Sequence, residues 1–217
     1  MNAPDAANGE FALALESFGT WLQSEPLPLV VIDGVAVAIL AESRNTKDID
    51  LLAWAPESSE WPGIFESARS HGFDGRIADA LSFADRSQML LLKHRTTGVD
   101  IDLVFGALPF EKRLVAERVW VSVGGFKLPF PKLEYLCVMK AIAGRPRDLA
   151  DLETLFAVHP GLDIKRITRE VRLLADAIDD PAPIQNLQRI RQDLKRRLGR
   201  QSLNMVLSKK PRKKLKP

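Results

Sequence analysis

Apolar and polar positions alternate in two different periods along this chain, and the period changes near its middle. Phe11 to Leu22 (FALALESFGTWL) has the spacing of a short amphipathic helix, with Gly19 as a weak point, and residues 1–9 read as a frayed end. Leu29 to Ile32 is a brief β-branched run and predicts a buried strand. Val35 to Ala41 is helix-compatible, Arg44-Asn45-Thr46 breaks it, and Asp48 to Trp54 (DIDLLAW) alternates as a strand. Trp61 to His71 returns to helical spacing and stops at Gly72, a C-cap residue.

Two hairpins follow. Ser87 to His94 and Val99 to Phe105 are apolar runs joined by Arg95-Thr96-Thr97-Gly98. After a predicted helix over Phe110 to Arg118, Val119 to Val123 and Phe126 to Phe130 flank Gly124-Gly125, a dipeptide suited to a tight hairpin turn. From Pro131 onward strand signals vanish. Helices are predicted over 132–143, 147–158, 163–178 and 184–198, punctuated by Pro146 and by Pro181 and Pro183. The fold class is α+β: a mixed α/β region over 1–130, a helical C-terminal region over 131–198 expected to complete a cleft, and a basic tail over 199–217. Within that tail, Ser208 to Pro217 has little that could fold and is expected to be disordered.

Composition narrows the function classes. The 217 residues are 46% hydrophobic and 27% charged, ordinary values for a globular domain that exclude a coiled coil or collagen. No apolar run, the stretch Leu27 to Asp33 included, approaches the length needed to span a bilayer. The first residues lack the basic-then-apolar order of a secretion signal, so a cytoplasmic protein without membrane partners is expected. One cysteine, Cys137, excludes an internal disulfide and a cysteine-rich metal site, and its helix neighbours suggest a buried, inert thiol. His71, His94 and His159 lack metal-ligand spacing. Trp21, Trp54, Trp61 and Trp120 read as core or rim residues.

Charge is unevenly distributed. From Arg189 onward the chain has twelve of its 31 basic residues and one acid, Asp193, out of 28. The rest is therefore acidic, with 19 basic and 27 acidic residues. A basic arm on an acidic body suits nucleic acid or an acidic partner, and modestly favours RNA.

The candidate chemistry lies in Asp33 to Leu52. Asp48 and Asp50 are two apart on a predicted strand, so both carboxylates point to one face while Ile49 points to the other. Such a pair repels unless it is solvated or bridged by a cation, and hard oxygen ligands suit Mg²⁺. Asp100 and Asp102 repeat the pattern on Val99 to Phe105. A third carboxylate beside the first two would complete a two-metal cradle for phosphoryl or nucleotidyl transfer. Solvated acids at a strand end are the alternative for each pair taken alone. Lys140, among Leu136, Met139 and Ile142, reads either as a lysine at a helix rim or as a functional cation. Asp148 and Asp151 share one helix face, where acids in a first turn are favoured by the helix dipole.

Three blocks in matching order resemble the DNA polymerase β type nucleotidyltransferase superfamily. Within it the similarity is to small bacterial proteins related to the AbiEii and MenT toxins. The blocks are the turn at Gly34 with Arg44-Asn45-Thr46-Lys47-Asp48-Ile49-Asp50-Leu51-Leu52, the later Asp100-Ile101-Asp102-Leu103-Val104, and Leu128-Pro129 to Leu155 with Lys140, Ala143-Gly144-Arg145-Pro146-Arg147-Asp148 and Asp151. The resemblance implies a nucleotidyltransferase-type mixed sheet flanked by helices. It implies that Asp48, Asp50 and Asp102 are catalytic and hold two Mg²⁺ ions. It implies that Gly34, Arg44, Lys140 and Asp148 bind an NTP, with Lys140 and Asp148 facing the acids across a cleft. The implied reaction moves an NMP from the NTP to an acceptor: an RNA 3′ end, a protein hydroxyl, or a small molecule such as an aminoglycoside. A toxin role would add an antitoxin protein as partner. The family's turn has glycine followed by glycine or serine, and this chain has Asp33-Gly34 instead. That departure keeps open a catalytically silent module that binds RNA or a partner protein. It also offers Asp33 as a cap for the helix starting near Val35.

Overall fold

A computed structural model describes residues 3–25, 27–41, 46–55 and 57–208, with side chains described from residue 9 to residue 197. The chain divides into two compact units, Met1–Leu136 and Cys137–Pro217.

The first unit is built on a five-stranded mixed sheet. Its strands are β1 (Leu29–Val31), β2 (Asp48–Ala53), β3 (Phe73–Gly75), β4 (Met89–His94) and β5 (Asp100–Phe105), in the order β1-β2-β5-β4-β3. Only β2 and β5 are parallel to each other; β1 pairs antiparallel with β2, β4 with β5, and β3 with β4. The parallel pair needs a long crossover, and the chain between β2 and β5 supplies it. That crossover carries α3 (Trp61–Ser70), β3, α4 (Ala80–Ser87) and β4. The remaining helices before it are α1 (Ala3–Ser24) and α2 (Asp33–Leu40).

Most elements lie where the hydrophobic periods place them, with physical reasons for the exceptions. Helix α1 extends back to Ala3 rather than fraying over residues 1–9. Ser87 ends α4 instead of opening a strand, and Gln88 turns the chain in a left-handed conformation at φ 56°. The three-residue β3 lies below the length at which alternation can be recognised. Gly19 is required by packing: a Cβ there would lie 2.6 Å from Cδ2 of Phe126. Phe126 opens β7 (Phe126–Phe130), which pairs antiparallel with β6 (Val119–Val123) through the Gly124-Gly125 turn, as expected. Helix α5 (Pro109–Ala116) precedes this hairpin. Glu111 holds its first turn by accepting hydrogen bonds from the backbone N–H groups of Ala107 and Leu108.

The core of this unit is aromatic at both ends. Trp21 is fully buried and its indole N–H donates to Ser67 Oγ at 2.7 Å. Trp61 stacks on Phe105 with ring centroids 4.3 Å apart and donates to the carbonyl of Ala55. Between them, Ile49, Leu51, Leu90, Leu92, Ile101 and Leu103 are fully buried along the sheet. Trp120, on β6, is exposed.

The second unit is helical. It takes up partway along α6 (Leu133–Ala143) and continues through α7 (Pro146–Val158), α8 (Ile164–Ala177) and α9 (Ala182–Ser208). Helix α9 extends ten residues past the 198 expected from the apolar spacing. The expected disorder of Ser208 to Pro217 lies almost wholly outside the described residues; Ser208 itself ends α9. Asp163 caps α8 by accepting from the N–H of Arg166 at 2.9 Å. Helix α8 buries Ile167, Val171 and Ala175, and α9 buries Leu187 and Ile190. Among the described residues no helix is long and apolar enough to cross a membrane.

Candidate functional site

The parallel register of β2 and β5 aligns Asp48 with Asp100, Ile49 with Ile101 and Asp50 with Asp102. Two Asp-Ile-Asp tripeptides therefore run side by side. Residues in register on neighbouring strands share a face, with backbones about 4.8 Å apart. The isoleucines are fully buried on one side, and the four aspartates emerge together on the other. Asp48 is exposed; Asp50, Asp100 and Asp102 are half-buried. The alternation that buries Ile49 and Ile101 is thus what delivers the carboxylates to one surface.

A cation that sequence reasoning did not single out serves this surface. Arg76 donates to Asp102 Oδ1 at 2.8 Å and also lies 3.1 Å from Asp100 Oδ2. Lys93, in register with Asp100 on β4, approaches its other oxygen at 3.4 Å. Arg76 directly follows β3, and its backbone N–H donates to the carbonyl of Leu91. The edge strand is thus what places its guanidinium over β5. The signal was a lone arginine after a strand too short to show a period. On β2, Asp48 accepts from Thr46 Oγ1 at 3.1 Å, which orders the entry to the strand.

The turn after β1 lies beside these acids. The N–H of Ile32 donates to the carbonyl of Asp50 at 2.8 Å, tying the start of α2 to the middle of β2. Asp33 adopts φ 47°, the left-handed region that glycine occupies at least cost, and Gly34 is buried behind it. Aspartate is among the few residues that tolerate this conformation. The expected capping role is not the one seen: the helix N-cap position is Ile32, with no side-chain cap, and Asp33 is the first residue of α2. Arg44 lies outside the described residues.

In the second unit, Lys140 of α6 and Asp148 and Asp151 of α7 form a buried ion triad. The Lys140 ammonium lies 3.0 Å from Asp148 Oδ1 and 2.9 Å from Asp151 Oδ2, with side-chain exposures of 3%, 1% and 7%. Arg145, largely exposed, adds a further bond to Asp148. Left-handed Gly144, at φ 61°, and Pro146 at the first turn of α7 fold the chain so that the two helices meet at these charges. Burial raises the Asp148 carboxyl pKa, but hydrogen bonds from Arg145 and Lys140 outweigh it and hold the group below its ordinary range. The resemblance implies that Lys140 binds the NTP; here its ammonium is paired with two buried carboxylates.

His94 is buried and donates or accepts at Thr97 Oγ1, 2.8 Å away; burial, with Arg95 nearby, lowers its pKa. It serves the β4–β5 turn.

The sequence matches no protein-family model and no curated protein. Solved structures do match. A nucleotidyltransferase-like antigen of Paracoccidioides brasiliensis superposes with a TM-score of 0.51 at 16% identity, over 83% of this chain and 93% of that one. A Thermotoga maritima protein provisionally named a nucleotidyltransferase gives 0.45 at 17% identity, over 70% and 92%. The antibiotic-resistance factor ANT(2'')-Ia gives 0.43 at 13%, over 88% and 95%. With its five-stranded mixed sheet flanked by helices, the chain has the nucleotidyltransferase-like fold.

Proposed function

We propose that the protein is a metal-dependent nucleotidyltransferase that moves an NMP from an NTP to an acceptor hydroxyl. The observation that carries this reading is the register of β2 against β5, which sets the two Asp-Ile-Asp segments side by side at a half-open surface. Carboxylate oxygens are hard, anionic donors, the kind that Mg²⁺ takes. Asp48, Asp50 and Asp102 would hold it, two ions in the full complement. When bound, the metal neutralises the triphosphate and eases loss of the acceptor proton.

The chain's own residues supply the rest. Asp102 receives the acceptor hydroxyl's proton as the acceptor oxygen bonds to the α-phosphorus. The bond from that phosphorus to the β-phosphate oxygen breaks, and pyrophosphate leaves. Gly34 lets the turn's backbone approach the phosphates, and Arg44 offsets charge on the departing pyrophosphate. Lys140 and Asp148 contribute to nucleotide binding by ordering the α6–α7 junction. Membership of the AbiEii and MenT group, with an antitoxin as partner, is part of the same proposal and rests on the three sequence blocks.

A catalytically silent module is favoured by a different observation. Arg76 already compensates Asp100 and Asp102, as a metal would. Incubation with α-labelled NTPs, Mg²⁺ and total cellular RNA or lysate separates the two readings. The enzyme gives a labelled product that requires Mg²⁺ and disappears in Asp50→Asn. The silent module gives no label with any NTP.

A further inference from the structure

A groove of about 610 Å³ lies within the second unit, between α8 and α9, and none of its lining residues has been assigned a role above. Its walls carry Lys165, Arg169, Arg172 and Arg191, with one acid, Asp176. On α8, Lys165, Arg169, Arg172 and Asp176 follow i, i+4, i+7, i+11 spacing, which places them in one stripe. The cationic part, Lys165 to Arg172, extends about 10 Å along the helix. Lys165, Arg169 and Arg172 are exposed and Arg191 is half-buried. Among the described residues, Lys165, Arg172 and Arg191 form no ion pair, while Arg169 approaches Glu170 at 3.5 Å. Leu173, 58% exposed, and Ile164 give the groove an apolar surface between the charges. Farther along α9 come Lys195, Arg196 and Arg197.

We propose that this groove binds single-stranded RNA. Cations in a row neutralise successive phosphates of a single strand, and the aliphatic side chains of Ile164 and Leu173 offer apolar contact to its bases and sugars between them. The same charge repels a polycationic acceptor such as an aminoglycoside. The inference deepens the proposed function by naming the acceptor class, and it rests on that reading only for the transfer step, since docking needs no catalysis.

The test uses the full chain and a fluorescent oligouridine of about 12 nucleotides, with anisotropy followed across roughly 50 to 200 mM KCl. Each phosphate contact on a single strand contributes about −0.7 to the salt slope of log K, or about fivefold in affinity at 0.1 M salt. Lys165→Gln with Arg172→Gln should therefore weaken binding ~25-fold and flatten the slope by ~1.4. Arg191→Gln alone should give about fivefold and 0.7. Lys127→Gln, an exposed charge on β7, should change neither. The basic C-terminal residues are present in every protein compared, so the differences isolate the groove. Thermal melts of the Lys165 and Arg172 variants should match the parent, because those side chains are exposed.

An unchanged affinity and slope in the double variant overturns the proposal. So does groove-dependent binding of polyglutamate or of phosphatidylserine vesicles with none of oligouridine, which would assign the surface to an acidic protein or a membrane. Mg²⁺-ATP binding, measured by calorimetry on the same proteins, keeps the two readings apart. Groove-dependent RNA binding without nucleotide binding sinks the transferase and leaves the groove standing. Nucleotide binding with RNA binding indifferent to the groove does the reverse.

Discussion

The protein handles two groups of carboxylates in opposite ways. On the sheet, Asp48, Asp50, Asp100 and Asp102 stand on one partly open face, compensated at one end by Arg76 and Lys93. In the helical unit, Asp148 and Asp151 are almost fully buried around Lys140. Burial makes the second group dependent on its partner, since charges taken out of water must be paired. Partial exposure makes the first group available, since water can compensate whatever a ligand later replaces. Identical side chains therefore act as architecture in one region and as candidate chemistry in the other.

The sharpest way to break this contrast is to remove one cation from the buried group. Lys140→Ala leaves two carboxylates buried with a lost partner and should cost about 3–5 kcal/mol. For a chain of this size that corresponds to a fall in Tm of roughly 10 °C, measured by thermal melting. A melt within about a degree of the parent would show that the triad is not structural and would return Lys140 to the role of a direct nucleotide contact. The matching change on the sheet should do the opposite. Asp50→Asn should leave the melt unchanged and lower transfer by about 10²–10³-fold, the scale of losing one preorganised electrostatic contact. A variant that unfolds instead would place Asp50 with the buried group.

How far this contrast can be read from residue order differs between its two halves. Period-two alternation in DIDLLA and DIDLVF predicts both strands and the face their aspartates share, because a strand has only two faces. It does not contain the parallel register, which joins segments about fifty residues apart. Arg76 was not singled out because it follows a strand of three residues, and Lys140 read as either rim or functional because helix spacing cannot tell a buried charge from a snorkelling one. The Gly144-Arg145-Pro146 break was legible as punctuation. That it folds a lysine onto two aspartates is a tertiary fact.

Arg76→Ala tests the boundary between the two groups, with a smaller effect. It leaves Asp100 and Asp102 side by side with less compensation, at a cost of about 1–2 kcal/mol for half-exposed charges. If the face accepts metal, millimolar Mg²⁺ should restore most of the lost Tm, and Ca²⁺ or Mn²⁺ should substitute in part. If the deficit is indifferent to divalent ions, the face is a structural ion-pair network and the silent module is the better reading.

The smallest expected effect is in pH dependence. Asp148 has a depressed pKa in the folded state, so its contribution is complete above the ordinary aspartate pKa and is lost as pH falls through the lower, folded value. His94 also has a depressed pKa, and as a buried neutral imidazole it favours folding above its ordinary pKa of about 6.5. That contribution declines as pH falls from there toward the folded value. Denaturant titrations should show a shallow loss beginning near neutrality, removed by His94→Gln, and a steeper one only in acid. A single acid transition unaffected by His94→Gln would disprove this division.

The parallel pairing of β2 with β5 has a further consequence, for the order in which the molecule assembles. Each strand's antiparallel neighbour on its outer side is close by in sequence: β1 precedes β2, and β4 meets β5 through a tight turn. The β2–β5 pairing instead closes a loop of some fifty residues, with the entropy that entails, so it belongs late in folding. It is also the step that brings four like charges together. Its barrier therefore contains an electrostatic part that salt or divalent ions lower, and refolding of this chain is expected to accelerate with ionic strength while the formation of its separate hairpins does not. The acids of the sheet come to share one face only at the moment the fold closes, and not before.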